Sequence, residues 1–543
     1  AAQRASIAGC EREFQAAARE FRSITDAAHS QPDVAREKSE TLVRDFLGAP
    51  PEMTEGHQEV KIALMRLYQV TGHAPYLDLA QHFIEARGRI RHFALHIYRQ
   101  NRSHEARKAL VAQRRAAYAA AHPQYAVSKV PPGNAAKMPP FAKRRWDLSA
   151  LSGKYNQQHA PVRQQTVPVG HAVRYGYFQT ATAMLHRLRG DPTLLPALEK
   201  SWQHMVTRRM YVTGGLGALP AIEGFGNDYE LDPEMAYAET CAALASLFWN
   251  WEMALITAQP QYSDLFEWQL YNAALVGMGI SGNTYLYNNP LCVHGGITRR
   301  GWYAVPCCPS NLSRTLAWLG KYIYSFDENN VWIHQYIGSA ATLAATPTLS
   351  LTLESTLPFA GDVTLRLNPP ATAQFSLHLR LPSWAEPHRE DIPIHLNGQP
   401  ISPTCITLPP RQLEATAQGY DPRLAGFATL DRIWQPGDVL TLTLPQPILL
   451  RRAHPKVKGH RGKATLTRGP LVYCLESVDN PGVDIFHAVL DPATLATRFD
   501  PQLLGGTLTL TAQTREGHPL TFIPYALWGN RGESQMNVWV NAL

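Results

Sequence analysis

Charge is sparse in this chain, 17% of 543 residues, and no run approaches the roughly 18 consecutive apolar residues that a membrane-crossing helix takes. A membrane span is therefore not expected. There is no long Lys/Arg block interleaved with aromatic residues, so the formal charge of +7 reads as scattered solubilising charge, with no nucleic-acid partner. Cysteine is scarce and odd in number: Cys10, Cys241, Cys292, Cys307, Cys308, Cys405 and Cys474. That excludes a disulfide scaffold and favours a reducing compartment, the cytoplasm, or a metal that protects the thiols. The opening residues AAQRASIAGCEREF lack the compact apolar stretch and cleavage site of a secretory signal. The glycines around Gly214–Gly226 lack the strand context and the Gly-Lys-Ser/Thr ending of a phosphate loop.

What is present is a packed composition, 45% hydrophobic over 60.4 kDa, which is too long for one ordinary core. The first three-fifths read as helical hairpins. Val60, Ala63, Leu64 and Leu67 form a helix-spaced stripe, a turn falls at Thr71-Gly72, and the pattern resumes with Tyr76, Leu77, Leu79, Ala80, Phe83 and Ile84. Similar units run from Thr180 to Met205 around Arg189-Gly190-Asp191, and from Ala242 to Leu275 around Gln259-Pro260. A fainter one spans Glu11 to Leu47 with a break near Gln31-Pro32. Each hairpin has an apolar face it cannot bury alone, so stacked pairs closing into an α/α toroid are expected. The Pro-rich segment from Tyr118 to Arg145 reads as a long inserted loop, either bordering a cleft or a plain surface excursion.

From about Val331 the period changes from 3.6 to 2. LSLTLESTLP, GDVTLRLN, AQFSLHLRLP, DIPIHLNGQ and DVLTLTLPQP alternate between turn signals, as strands of a β-sandwich do. KATLTRGPLVYCLE, GTLTLTAQT, FIPYALW and MNVWVNAL indicate a second sheet module. The expected organisation is multidomain: a toroid over 1–330, a first β-sandwich over 331–448 and a second over 449–543.

Chemistry concentrates in two places. Cys307-Cys308 lie between Pro306 and Pro309, which resist a regular helix, and two adjacent thiols reach one ion only from irregular backbone. Glu239 and Cys241 in YAETCAAL are about 200° apart in mid-helix, so joint coordination places them before a helix or in its first turn. Glu239, Cys241, Cys307 and Cys308 together are four donors of the kinds zinc accepts, in a closed structural site or a catalytic one. Cys292 and His294 are rival ligands on spacing grounds. Between Gly214 and Glu239 lies a glycine-supported acidic loop with Glu223, Asp228, Glu230, Asp232 and Glu234, a reasonable place for a glycosidase acid; the pattern does not choose Glu223 over Asp228. His57 and His171 each follow a glycine at a helix entrance, and Tyr287, Trp249, Trp251, Trp302 and Tyr303 offer sugar platforms or core packing.

The blocks GHQEVKIALMRLYQVTG, PVRQQTVPVGHAVR, RRMYVTGGLGA, YAETCA, YNNPL, CCPSNLSRTLAWLGKYIY and RGPLVYCLE resemble glycoside hydrolase family 127, the β-L-arabinofuranosidase family. The resemblance covers most of the chain, and YAETCA with a later CCP is its most specific part. It implies a six-hairpin α/α barrel before the β-sandwiches and a Zn2+ site of Glu239, Cys241, Cys307 and Cys308. It further implies Cys307 as nucleophile, Glu223 as acid/base, and His57, His171 and Tyr287 as sugar contacts. The expected activity is retaining, exo-acting release of β-L-arabinofuranosyl units from a small oligosaccharide or arabinofuranoside conjugate, with a homodimer as an open option. Another plant-derived furanoside, such as an aceric-acid-like pectin sugar, is the alternative substrate, and a noncatalytic zinc-stabilised carbohydrate-binding protein the alternative class. Departures from the family pattern are Lys61 and Gln165, where acidic residues are common, and less helix before His57 than the family carries, so part of the barrel's N-terminal segment is expected to be absent.

Overall fold

A computed structural model of the chain describes residues 32–54, 56–100, 113–114, 116–117, 120, 142–303, 305–344, 348–385 and 392–542. The expected helix from Glu11 to its break near Gln31 lies outside these residues, as do 118–119 and 121–141 of the expected loop; the loop's last residues, from Ala142 to Arg145, are instead the start of a helix that runs to Leu151. The described residues fall into two compact units that divide between Trp202 and Gln203.

The first unit is helical. It holds α1 (Pro32–Phe46), α2 (Glu59–Thr71), α3 (Ala74–Glu85), α4 (Ala142–Leu151), α5 (Ala172–Arg189) and most of α6 (Leu195–Arg208). Leu64 and Met65 of α2, Tyr76, Leu77, Leu79, Ala80, Phe83 and Ile84 of α3, and Phe178, Ala181, Met184 and Leu185 of α5 form one core. The apolar stripes at three- and four-residue spacing are what these helices bury against each other. Gly72 ends α2 at φ 70°, its N–H bonded to the Tyr68 carbonyl at 2.7 Å, a left-handed cap that a side chain resists. Buried Gln165 donates its amide to the Gln157 and Ala160 carbonyls at 2.8 and 2.7 Å, bonds that a carboxylate has no proton to make.

The second unit contains a helical hairpin, α7 (Thr240–Thr257) and α8 (Pro260–Gln269), then α9 (Cys307–Ala317), followed by the strands. Nearly every face of α7 is buried, so it reads as hydrophobic all round. Pro260 opens α8 at its first position, where a missing N–H costs nothing. Three sheets follow. Strands at 405–407, 426–434, 373–381, 330–333 and 324–326 form a five-stranded sheet in that spatial order. A six-stranded sheet has the order 339–343, 349–355, 362–368, 438–443, 394–396 and 399–401. A nine-stranded sheet gathers the strands after Ile448 and the short Cys292–Val293 strand. The architecture is thus multidomain, helical first and β-sheet afterwards. No described helix is long and apolar enough to cross a membrane.

Asn272, in a single π-helical turn after α8, donates to the Pro470 carbonyl at 2.7 Å and accepts from the Val472 N–H at 2.7 Å. The RGPLVY turn of the last sheet is thereby hydrogen-bonded to the helical hairpin. His334 is fully buried, with Nδ1 and Nε2 each 2.7 Å from a hydroxyl, of Ser263 and Ser325, and its ring set edge-on to Trp251. Burial, and next the positive charge of Arg380, push it down to about 3. Because the unfolded imidazole titrates near about 6.5, the unfolded chain binds more protons between the two values, so this contribution is complete above about pH 6.5 and lost as pH falls toward 3. Melting temperatures should therefore decline from pH 7 to pH 4, and His334→Gln should flatten that slope by about one proton's worth. An unchanged slope in the variant would refute the assignment.

Candidate active centre

Two helix starts build the centre. Glu239 is the residue before α7, and its backbone pairs with Asn288 as an antiparallel bridge. The Thr240 N–H bonds the Tyr287 carbonyl at 3.0 Å and its Oγ1 donates to the Leu286 carbonyl at 3.0 Å, while Asn289 Nδ2 donates to the Ala238 carbonyl at 2.9 Å. The YNNP segment thus holds the start of α7 from one side, and Cys241 follows in the first turn. That placement is the one the Glu239/Cys241 spacing requires. Cys307 and Cys308 are the first two residues of α9. Here the structure departs from the expectation that the flanking prolines keep the pair out of a helix. Pro309 sits at the third helical position, within the first turn, where backbone N–H groups have no intrahelical acceptor to lose. Both thiol-bearing first turns present the positive end of a helix dipole, which favours thiolate.

The donor atoms converge. One ligand atom from each of Glu239, Cys241, Cys307 and Cys308 lies within 4.8 Å of all the others. Cys241 and Cys308 sulfurs are 3.3 Å apart, and Glu239 Oε1 is 3.8 Å from both Cys307 and Cys308 Sγ. Cys241, Cys308 and Glu239 are buried; Cys307 is half-buried. Tyr287 hydroxyl lies 3.1 Å from Cys307 Sγ, and the buried Asn311 amide donates to Cys241 Sγ at 3.0 Å.

The protonation pattern is that of an electron-rich cluster. Hydrogen bonds from the Cys241 and Cys308 thiols, and then from Tyr287, hold Cys307 down at about 2. Burial pushes Cys241 and Cys308 well up, and burial with the charges of Cys307 and Glu223 does the same to Glu239. One negative charge is tolerated and the others are suppressed. Glu239 Oε2 is buried with no hydrogen-bond partner among the described residues. A divalent cation inverts this balance, because it draws all four groups into their charged forms. Three sulfurs and one carboxylate, with one of its oxygens orphaned, therefore fit Zn2+.

Glu223 ends the short 3-10 turn Pro220–Ile222 in the left-handed region, φ 49°, a conformation costly for a side-chain-bearing residue. Tyr237 is its electrostatic neighbour, a hydroxyl pushed far up by burial and then by the charges of Glu239 and Glu223. Its neighbours in the acidic segment are engaged elsewhere: Asp228 with His204 at 2.8 Å and Arg209 at 2.7 Å, Glu230 with the Asn227 N–H, and Asp232 with the N–H groups of Glu234 and Met235. Tyr303 hydroxyl donates to the Tyr285 carbonyl, and Trp249 and Trp251 are core residues. Trp302 stays 59% exposed. His57 and His171 belong to the first unit. His57 precedes α2 with its ring 5.7 Å from that of Tyr177, and His171 precedes α5 with its N–H on the Tyr155 carbonyl. Tyr237 and Asn311 were not singled out from sequence. Asn311 had a legible signal, since it lies four residues after Cys307 on the same helical face.

Comparison with known proteins gives a consistent set of relatives. Residues 33–321 match "Beta-L-arabinofuranosidase, GH127 catalytic domain", 330–446 the corresponding middle domain and 448–541 the "Glycoside hydrolase family 127 C-terminal domain". A non-reducing end β-L-arabinofuranosidase of Bifidobacterium longum subsp. longum is 30% identical, over 93% of this chain and 74% of its own length. A solved GH127 β-L-arabinofuranosidase from Geobacillus stearothermophilus T6 superposes with a TM-score of 0.78 at 30% identity, covering 98% of this chain and 80% of that one. A further solved GH127 β-arabinofuranosidase gives 0.76 at 26% identity, over 98% and 76%.

Proposed function

The chain belongs to glycoside hydrolase family 127, and from that membership we propose that it is a retaining exo-glycosidase releasing β-L-arabinofuranosyl units from non-reducing ends. The observation that carries the reading is the convergence of Cys307 with Glu239, Cys241 and Cys308 at two helix starts, with a tyrosine hydroxyl on the Cys307 sulfur. In this reading Glu239, Cys241, Cys307 and Cys308 hold Zn2+, which supplies positive charge that keeps the thiols ionised. Cys307 Sγ attacks the anomeric carbon as the glycosidic C–O bond breaks, and Glu223 delivers its proton to the departing oxygen. Glu223, now a carboxylate, takes a proton from water as that water displaces the sulfur, so configuration is retained and Cys307 returns as thiolate. Tyr287 hydroxyl steadies the sulfur's charge, and its hydrogen bond is already made. His57, His171 and Tyr287 are the sugar contacts. The substrate is a small oligosaccharide or arabinofuranoside conjugate, and the cysteine-rich centre suits a reducing compartment such as the cytoplasm. The same reading allows a homodimer.

Release of the terminal sugar from β-L-arabinofuranosyl, α-L-arabinofuranosyl and pectin-derived furanosides decides the substrate. Turnover of the first and not the second is expected; turnover confined to an acidic pectin sugar moves the reading to that substrate, and none on any sugar sinks it. Glu223→Gln should slow substrates with poor leaving groups by about 10²–10⁴-fold and nitrophenyl glycosides far less in the glycosylation step. Equal losses on both would remove Glu223 from the acid role.

A further inference from the structure

Outside the centre just described, a second group of ligand-type side chains meets at the acidic segment. Glu234, Cys292 and His294 each offer one donor atom, and the three atoms lie within 4.8 Å of one another. His294 Nε2 is 3.1 Å from Glu234 Oε1 and 3.9 Å from Cys292 Sγ. Tetrahedral zinc with bonds of about 2.0 Å to nitrogen and oxygen and about 2.3 Å to sulfur would set these edges at about 3.3 and 3.5 Å. A few tenths of an ångström separate the two arrangements. One ring nitrogen carries a single proton or a single lone pair, so an ordinary hydrogen bond accounts for one of its two neighbours. A cation at the centre of the triangle accounts for both.

The scaffold is built to hold the triangle. Leu291 and Cys292 N–H groups both reach the Pro233 carbonyl, at 2.9 and 3.2 Å, so the two ligand-bearing segments are hydrogen-bonded to each other beside the ligands. Cys292 and Val293 pair antiparallel with Asn537 and Met536 of the last sheet. Asp232 Oδ1 accepts from the Glu234 N–H at 2.9 Å and fixes the turn that aims Glu234. The Phe486 ring lies 4.1 Å from the His294 imidazole. Cys292 is buried while Glu234 and His294 are more than half exposed, so a cation can enter from solvent and meet a sheltered sulfur.

We propose that Glu234, Cys292 and His294 form a second zinc site, separate from the four-ligand centre, that clamps the acidic segment to the Cys292–Val293 strand. One thiol, one imidazole and one carboxylate are a zinc-type donor set, and a fourth position stays open to water. The site takes no part in the proposed hydrolysis and stands whether or not that reading does.

The test counts metal. Metal-free full-length chain is reloaded with zinc, excess is removed by gel filtration, and bound zinc is counted by native mass spectrometry and elemental analysis. Wild type should hold two zinc ions per chain. His294→Ala and Cys292→Ser should each hold one and keep wild-type activity on any arabinofuranoside the parent hydrolyses, whereas Cys308→Ser should lose the other ion and retain this one. Loading with Co2+ should add a single-thiolate charge-transfer band that disappears in Cys292→Ser. Glu234→Gln, a surface change, should weaken the second ion at least tenfold and guards against misfolding of the cysteine variant. Equal zinc content in wild type, His294→Ala and Cys292→Ser would overturn the proposal, whether wild type holds two ions or one.

Discussion

Cys307→Ser should lose about 10³-fold or more in turnover, the size of effect seen when a nucleophile is removed. A serine hydroxyl in this place has neither the acidity nor the polarisability of a thiol flanked by two others, and Tyr287 would hydrogen-bond a neutral oxygen. In the proposed reading the substitution also removes a metal donor, so zinc content has to be read alongside rate. Cys308→Ser is the matched control: it takes away a donor of equal kind that does not face the Tyr287 hydroxyl. An arabinofuranosyl electrophile should label wild-type chain at Cys307 alone. A labelled glutamate, or near-normal turnover by the serine variant, would remove sulfur from the attacking role.

Arg380→Ala should destabilise the fold by about 3–5 kcal/mol, the cost of leaving buried charges without their partner. The guanidinium is fully buried on the strand Ala373–Leu381, with Nε on the His334 carbonyl at 2.6 Å, Nη1 3.3 Å from Asp264 and Nη2 hydrogen-bonded to Glu267. The acids are held in turn. Asp264 accepts from Ser383 and from Tyr420 hydroxyl at 2.7 Å, and Glu267 from Trp384 Nε1 at 2.7 Å. Burial already pushes Glu267 upward despite the arginine, and burial alone would push Arg380 down were it not for the two carboxylates. Removing Arg380 strands both acids on α8. Replacing all three by apolar residues of similar volume should recover only part of the loss, because the desolvation cost disappears with the charges while the buried Ser383, Tyr420 and Trp384 donors lose their acceptors. Denaturant midpoints of the single and triple variants check this, and a single variant within 1 kcal/mol of wild type would be inconsistent with it.

The sequence made visible what local chemistry dictates. Helical hairpins could be read at Thr71-Gly72, Arg189-Gly190-Asp191 and Gln259-Pro260, because a left-handed glycine or an N-terminal proline is a local demand. Strands with one buried face, such as Leu349–Ser355 and Asp362–Asn368, showed their alternation. The strand Gly426–Trp434 did not, since its first five residues are all buried and polarity does not alternate along them. Leu490–Asp500 was hidden by an irregularity between Asp491 and Ala496. FIPYALW is half strand, and from Tyr525 to Leu527 it becomes a 3-10 turn. At the centre, residue types and order were enough to nominate the four ligands, while Tyr237 reaches Glu223 only through a loop conformation that no spacing rule encodes. The Asp264–Glu267–Arg380 cluster joins residues more than a hundred positions apart, beyond the reach of any local pattern.

The hydrogen bonds of Asn272 to Pro470 and Val472 bear on how the chain comes apart. A side-chain amide buried in the helical hairpin stands in there for a missing strand, supplying both a donor and an acceptor to the backbone of the last sheet. Peeling that sheet away trades both bonds for bonds to water, at a net cost of about 0.5–1.5 kcal/mol each, and exposes the buried seam around them. The last sheet and the hairpin that carries Cys241 should therefore open together, the C-terminal module acting as part of the second unit in place of a detachable appendage.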